Sequence, residues 1–205
     1  MITIEEYIKD PCRASSLPYW KTISYQIPDY IKVELEEYNK KSNEACEKYF
    51  KVIHYLDNIE NPRLPEGFTL TNISIEEYVN HINSCYDDIK ISVEELKEYQ
   101  KHTVYNETLW IAIKDIKNNK IIATGIGEMD SLVKEGILEW IQVSKEYRRQ
   151  GFGKHIVNEL LSRMKDKVKF VTVSGRLNNK TNPLALYKNC GFINKQIWNV
   201  SNGNK

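Results

Sequence analysis

The strongest chemical signal in the chain is one short run, Arg148-Arg149-Gln150-Gly151-Phe152-Gly153-Lys154. Two glycines one residue apart let backbone amides turn toward a common point with no Cβ in the way. An amphipathic helix opens at Phe152, so its unpaired N–H groups and the positive end of its dipole face that point too. The combination is an anion site suited to a phosphate or pyrophosphate. Arg148, Arg149 and Lys154 add positive charge at its rim. A dinucleotide fingerprint requires a third glycine where Ile156 stands, and a P-loop requires GxxxxGK[ST], which is absent. Gly125-Ile126-Gly127 also lacks a third glycine and falls in a strand pattern. The alternative for the 148–154 run is a plain strand-to-helix turn that uses glycine for tightness.

Other reactive residue types show no such grouping. Cys12, Cys46, Cys85 and Cys190 lie far apart, which disfavours zinc and a disulfide framework and suits a reducing cytoplasm. His54, His81, His102 and His155 have no ligand spacing, so no metal is expected and each reads as a surface or capping residue. Lys+Arg 29 against Asp+Glu 28 leaves a net charge of +1, which gives no general nucleic-acid footprint. No apolar run approaches the ~18 residues a membrane span needs, and MITIEEYIKD lacks the pattern of a secretory signal.

These residues need elements to position them. Thr3 with Glu5-Glu6 suits a short helix, and Pro11 and Pro18 prevent a long one after it. Ile31, Val33 and Leu35 alternate as in a half-buried strand; 49–56 fits a second strand or a helix end. Asn61-Pro-Arg-Leu-Pro65 with Gly67 reads as a connection, dividing residues 1–65 from 66–205. Beyond it come a strand at 67–73, helices opened by the capping boxes Ser74/Glu77 and Ser92/Glu95, strands at 108–113 and 120–127 joined as a hairpin, and a strand at 137–143. A helix at 152–164 carries the apolar stripe Phe152, Ile156, Val157, Leu160, Leu161 and Met164. A strand at 169–173, a helix at 182–189 stopped by Gly191, and a strand at 192–200 follow. The unit 137–173 is a βαβ crossover with parallel strands.

In that setting Arg148-x-x-Gly151-x-Gly153 resembles the acyl-CoA loop of GNAT-superfamily N-acetyltransferases. Asn182-Pro-Leu-Ala-Leu-Tyr-Lys-Asn-Cys-Gly-Phe192 is similar to that superfamily's closing motif, and the element order over 67–200 matches its fold. The run from Pro11 to Lys21 resembles N-terminal extensions of bacterial, Firmicute-like members. The resemblance implies an α/β (α+β) fold with a mixed, mostly antiparallel sheet flanked by helices. Residues 1–65 would form an extension packed on the core, and 66–205 the acetyltransferase domain. It implies that amides from Arg149, Gln150, Gly151, Phe152, Gly153 and Lys154 hold the pyrophosphate of acetyl-CoA, and that the backbone of Ile141, Gln142 and Val143 meets the pantetheine.

The resemblance also assigns Tyr187 as the acid that protonates the leaving thiolate; the alternative is an amphipathic core tyrosine. A phenol of pKa ~10 suits a thiol of ~8.5. Asn179 and Asn182 both qualify for the family asparagine, with Asn178 a third choice, and Asn182 also fits a helix cap. For the base that deprotonates the acceptor amine, Glu139 shares a face with Ile141 and Val143 by strict alternation; Glu128 and Asp130 are alternatives. The acceptor side should involve 85–91, with Asp87 and Asp88, and Tyr19 and Trp20 from the extension. The expected function is acetyl transfer from acetyl-CoA to a primary amine, on a small molecule or a peptide, by direct attack in a ternary complex. A cysteine-dependent transferase using Cys190 or Cys85, and a non-catalytic acyl-CoA sensor, are the rivals. Neither nucleic acid nor membrane is expected as a partner, and exposed sheet edges would suit a homodimer.

Overall fold

The computed structural model describes residues 2–38, 46–61 and 63–202. Pro62, part of the expected connection, lies outside them. The elements run α1 (Ile4–Lys9), α2 (Pro11–Ala14), α3 (Tyr19–Ser24), β1 (Ile31–Leu35), β2 (Glu47–His54), β3 (Phe68–Thr71), α4 (Ile75–Cys85), α5 (Val93–Tyr99), β4 (Trp110–Asp115), β5 (Lys120–Asp130), β6 (Glu135–Val143), α6 (Phe152–Met164), β7 (Phe170–Arg176), α7 (Pro183–Asn189) and β8 (Ile193–Asn202). Capping boxes at Thr3/Glu6, Ser74/Glu77 and Ser92/Glu95 start α1, α4 and α5, each satisfying orphan amides at the helix start.

One eight-stranded sheet organises the chain in the order β1-β8-β2-β7-β6-β5-β4-β3. All neighbours are antiparallel except β6 and β7. The 1–65 segment supplies two of these strands, and β2 is inserted between β7 and β8. The stretch 49–56, open between strand and helix in the sequence, is therefore a strand. It is buried on both faces from Phe50 to His54, and that continuous burial removed the alternation a half-exposed strand would show.

Helix α6 buries its apolar stripe on one face of the sheet, against Ala123, Leu138 and Val171. Gly125 and Gly127 serve this packing: a Cβ on Gly125 would collide with Ile156 Cγ2, and one on Gly127 would lie 2.6 Å from Met164 Cε. Helices α4 and α5 cover the opposite face through Tyr78, Ile82, Leu96 and Ile126. Helices α1–α3 lie beside them.

A buried polar network fastens α1–α3 to the sheet. Lys51 Nζ on β2 donates to Tyr7 Oη (2.9 Å) and to the carbonyls of Ser15 (3.0 Å) and Leu17 (2.7 Å). Tyr7 Oη donates to Glu135 Oε1 on β6 (2.7 Å), and the Tyr19 N–H donates to Glu135 Oε2 (3.1 Å). Burial lowers the pKa of Lys51 to about 8 and raises that of Glu135, each against the pull of the other's charge.

Candidate active site

The 148–154 loop follows β6 and opens α6, as its glycines require. Gly151 caps the helix at φ +90, with open space where its Cβ would be, and Arg149 precedes it at φ +64. Among the described residues, no acceptor takes a hydrogen bond from the backbone N–H groups of 149–154. These amides are thus not used by an internal acceptor. Gly153 has a different duty: its Cβ would stand 3.2 Å from Leu186 Cδ2, so it lets α7 pack closely.

The cations expected at the rim divide. Arg149 is exposed there. Arg148 instead folds back, with Nε donating to Val143 O (3.0 Å) and Nη2 to Cys85 O (3.2 Å), and ties the loop to β6 and α4. Lys154 pairs with Glu60 at 2.7 Å, and Gln150 Nε2 donates to Glu146 O at 3.1 Å.

Next to the loop the sheet opens. Parallel pairing of β6 with β7 covers only Glu135↔Phe170, Gly136↔Val171 and Ile137↔Thr172. Beyond Ile137, β6 keeps only β5, while β7 stays paired with β2 from Val171 to Arg176. Residues 138–143, including Ile141, Gln142 and Val143, therefore present an unpaired backbone edge to a cleft. Within this stretch Trp140 adopts φ +47 and the register with β5 slips between Thr124 and Ile126, which is a β-bulge.

The bulge corrects one expectation. Strict alternation puts Glu139 on the face of Ile141 and Val143, but the extra residue reverses the phase. Ile141 and Val143 pack toward α6, whereas Glu139 lies opposite Ile126 on the α4 face. Glu139 thereby meets residues of the N-terminal segment. Lys21 Nζ of α3 donates to Glu139 Oε1 at 2.6 Å, and both side chains are about one-fifth exposed (19% and 23%). Burial opposes the Lys21 ammonium, yet the charge and hydrogen bond of Glu139, with Glu128's charge, raise its pKa overall.

Beside this pair Trp20 Nε1 donates to Glu128 Oε2 (3.1 Å), and the Trp20 ring packs on His102 at 4.7 Å. Glu128 is 2% exposed. Burial first, and the Glu139 charge second, push its pKa up to about 8. Its carboxyl is consequently held protonated at neutral pH, so Glu128 makes a poorer resting base than Glu139's ion-paired carboxylate. The sign of the linked stability follows. The folded state holds a proton that the unfolded chain, near 4.5, has released, so this contribution is complete below pH ~4.5, is lost as pH rises toward about 8, and is flat above that. The unfolding free energy measured from pH 5 to 9 should fall through this window, by up to ~1.4 kcal/mol per pH unit from this group. Glu128→Gln should flatten the slope; an unchanged slope would remove Glu128 as its source.

Tyr187 on α7 is 6% exposed and packs against Phe50 and Phe192 with centroids at 6.0 and 5.6 Å. Burial, then the charges of Tyr86 and Glu139, raise its pKa and keep the phenol protonated. Tyr86, in the 85–91 connection, stacks edge-on to Trp140 at 6.2 Å.

Other candidates have structural partners. Asn182 Oδ1 caps α7 by accepting from the Ala185 N–H, and Asn179 Oδ1 accepts from Thr181 N (2.9 Å) and Oγ1 (2.8 Å). Asp88 pairs with Arg176 at 2.7 Å, and Asp130 accepts from the Leu132 N–H. Three of the histidines expected at the surface or as caps are buried: His54, His81 and His155. His81 lies 2.9 Å from Thr124 Oγ1 and 3.0 Å from Ser144 Oγ, and burial lowers its pKa to about 4. It stands 3.7 Å from Cys85 Sγ, but a neutral imidazole of that basicity cannot activate a thiol whose own pKa burial raises. Burial likewise pushes the Cys190 thiol up to about 12. Cysteine catalysis has no support at either position.

The acetyltransferase (GNAT) family model matches residues 70–192. The chain belongs to the GNAT acetyltransferase family. Among solved structures, this GNAT chain is similar to a GCN5-related N-acetyltransferase from Sphaerobacter thermophilus (TM-score 0.65, 15% identity, 81% of this chain and 55% of that one). It is also similar to the ribosomal-protein-S18-alanine N-acetyltransferase from Escherichia coli (TM-score 0.52, 18% identity, 67% and 96%) and to a tandem GNAT protein of the clavulanic acid pathway (TM-score 0.54, 13% identity, 80% and 55%). At these identities the likeness is one of fold. The chain spans about half the length of the first solved structures it resembles. No curated protein matches. Among the described residues no helix is long and apolar enough to cross a membrane.

Sequence reasoning missed Lys21. No spacing rule links it to Glu139, since the two meet only through the fold; the available signal was a cation directly beside Tyr19-Trp20.

Proposed function

We propose that this GNAT chain is an N-acetyltransferase that moves the acetyl group of acetyl-CoA to a primary amine. The observation that carries this reading is the set of amides at 149–154 not used by an internal acceptor, set at the mouth of the cleft where β6 leaves β7. Those amides would hold the pyrophosphate, and the open edge at 141–143 would take the pantetheine along β6. The thioester would then lie near the bulge, between Glu139 and Tyr187.

In a ternary complex Glu139 accepts the acceptor's ammonium proton. The neutral nitrogen attacks the thioester carbonyl, the C–S bond breaks, and Tyr187 supplies the proton that the departing thiolate takes. Holding both reactants in one cleft supplies much of the rate. Residues 66–205 would act as the catalytic domain, with 1–65 as an extension that walls the acceptor side through Trp20 and Lys21. The buried Cys12 and Cys190, both free thiols, fit a reducing cytoplasm.

Calorimetry with coenzyme A, followed by thiol release from acetyl-CoA with pooled amines, tests this reading. Saturable heat and amine-dependent thiol release are expected. Absence of heat with coenzyme A overturns the acyl-transfer reading; heat with no turnover across a broad amine panel turns it into a coenzyme-binding module.

A further inference from the structure

We propose that Lys21 is an acceptor amine built into the chain, so that the protein transfers an acyl group from acyl-CoA to its own Lys21 Nζ. This rests on the acyl-transfer reading of the same cleft. Three observations lead to it. Lys21 Nζ stands 2.6 Å from Glu139 Oε1, the carboxylate placed to take a proton from an acceptor amine. Its neighbours fix the helix that carries it: the Tyr19 N–H donates to Glu135 and Trp20 Nε1 donates to Glu128, both on strands of the site. The Lys21 side chain is only 19% exposed, and its ammonium lies 5.4 Å from the Trp20 ring, so the amine is held between that ring and the Glu139 carboxylate.

The step balances without a further reactant. Glu139 takes one proton from the Lys21 ammonium. The freed Nζ lone pair forms the C–N bond to the acyl carbonyl, the C–S bond breaks, the thiolate takes the Tyr187 proton, and the acylated nitrogen passes its second proton to the Tyr187 phenolate. The products are Nε-acyl-lysine and coenzyme A. One net proton then leaves as Glu139 returns to its carboxylate. An acylated Lys21 has no charge to pair with Glu139, so the modification would also release that carboxylate for an external amine. The tight ion pair makes the internal reaction slow relative to one with a free, weakly held amine.

The test incubates the purified full chain with acetyl-CoA and no other amine, followed by intact mass and peptide mapping. One acetyl group at Lys21 is expected, accumulating at a first-order rate independent of protein concentration, absent in Lys21→Arg and strongly slowed in Tyr187→Phe. Labelling spread over exposed lysines, or a rate that scales with protein concentration, overturns the proposal. So does an unmodified Lys21 in protein that calorimetry shows to bind coenzyme A and that acetylates added amines. If no coenzyme binds, the acyl-transfer reading has failed first, and the calorimetric arm reports that separately.

Discussion

Tyr187→Phe should lower turnover about 100-fold or more while coenzyme A binds as before. The change removes one oxygen from a ring whose packing against Phe50 and Phe192 is otherwise kept. The lost group is the proposed proton donor, and the amides proposed to hold the pyrophosphate lie on a different element, the start of α6. A matched pair of measurements decides the point. Calorimetry should give the parent affinity, and thiol release with a working amine should give the reduced rate. Unchanged turnover takes Tyr187 out of the mechanism and leaves the thiolate to be protonated by water. A parallel loss of coenzyme affinity would instead mean that the ring shapes the pantetheine cleft.

The second large effect concerns stability. Lys51→Met should destabilise the fold by about 3–5 kcal/mol, the range seen when one partner of a buried charged network is removed. Lys51 is 1% exposed and ties together Tyr7 and the carbonyls of Ser15 and Leu17, while Glu135, itself fully buried, stays behind with Tyr7 and Thr172. Methionine fills similar volume but offers no donor to two buried carbonyls and no charge to oppose the carboxylate. Urea unfolding of the parent, Lys51→Met and the double variant Lys51→Met/Glu135→Gln checks this. The double variant should recover part of the loss, because the uncompensated carboxylate has gone. A single-variant loss below ~1 kcal/mol, the scale of an ordinary hydrogen bond, would show that apolar packing alone holds α1–α3 on the sheet.

These two predictions draw on parts of the molecule that differ in how legible they are. The elements from β3 to β8 follow from local signals: capping boxes at Ser74 and Ser92, the 3.6-residue stripe of α6, and the Gly191 stop. Each is written within a few neighbouring residues. The amide loop is legible for the same reason, since glycine spacing and a helix start are local. What escapes is set by partners distant in sequence. The bulge at Trp140 has no composition of its own; it arises where β6 must leave β7 yet stay on β5, and it moves Glu139 to the other face. Arg148 and Arg149 are adjacent and chemically alike, and only the position of the Cys85 carbonyl separates a tether from an exposed charge. The burial of His81 depends on Thr124, on β5, and Ser144, just past the end of β6.

The insertion of β2 between β7 and β8 sets the order in which the protein can mature. Phe50 pairs with Gly175 on one side and Ile197 on the other. A mostly buried strand made in about the first quarter of synthesis therefore has no hydrogen-bonding neighbour until nearly the whole chain has left the ribosome. Contacts of such long sequence separation form slowly and leave a sticky edge uncovered meanwhile. The same arrangement makes the extension part of the sheet's interior, so a fragment trimmed to the family-matched region would lose β1, β2 and β8 together and leave β7 as a bare edge.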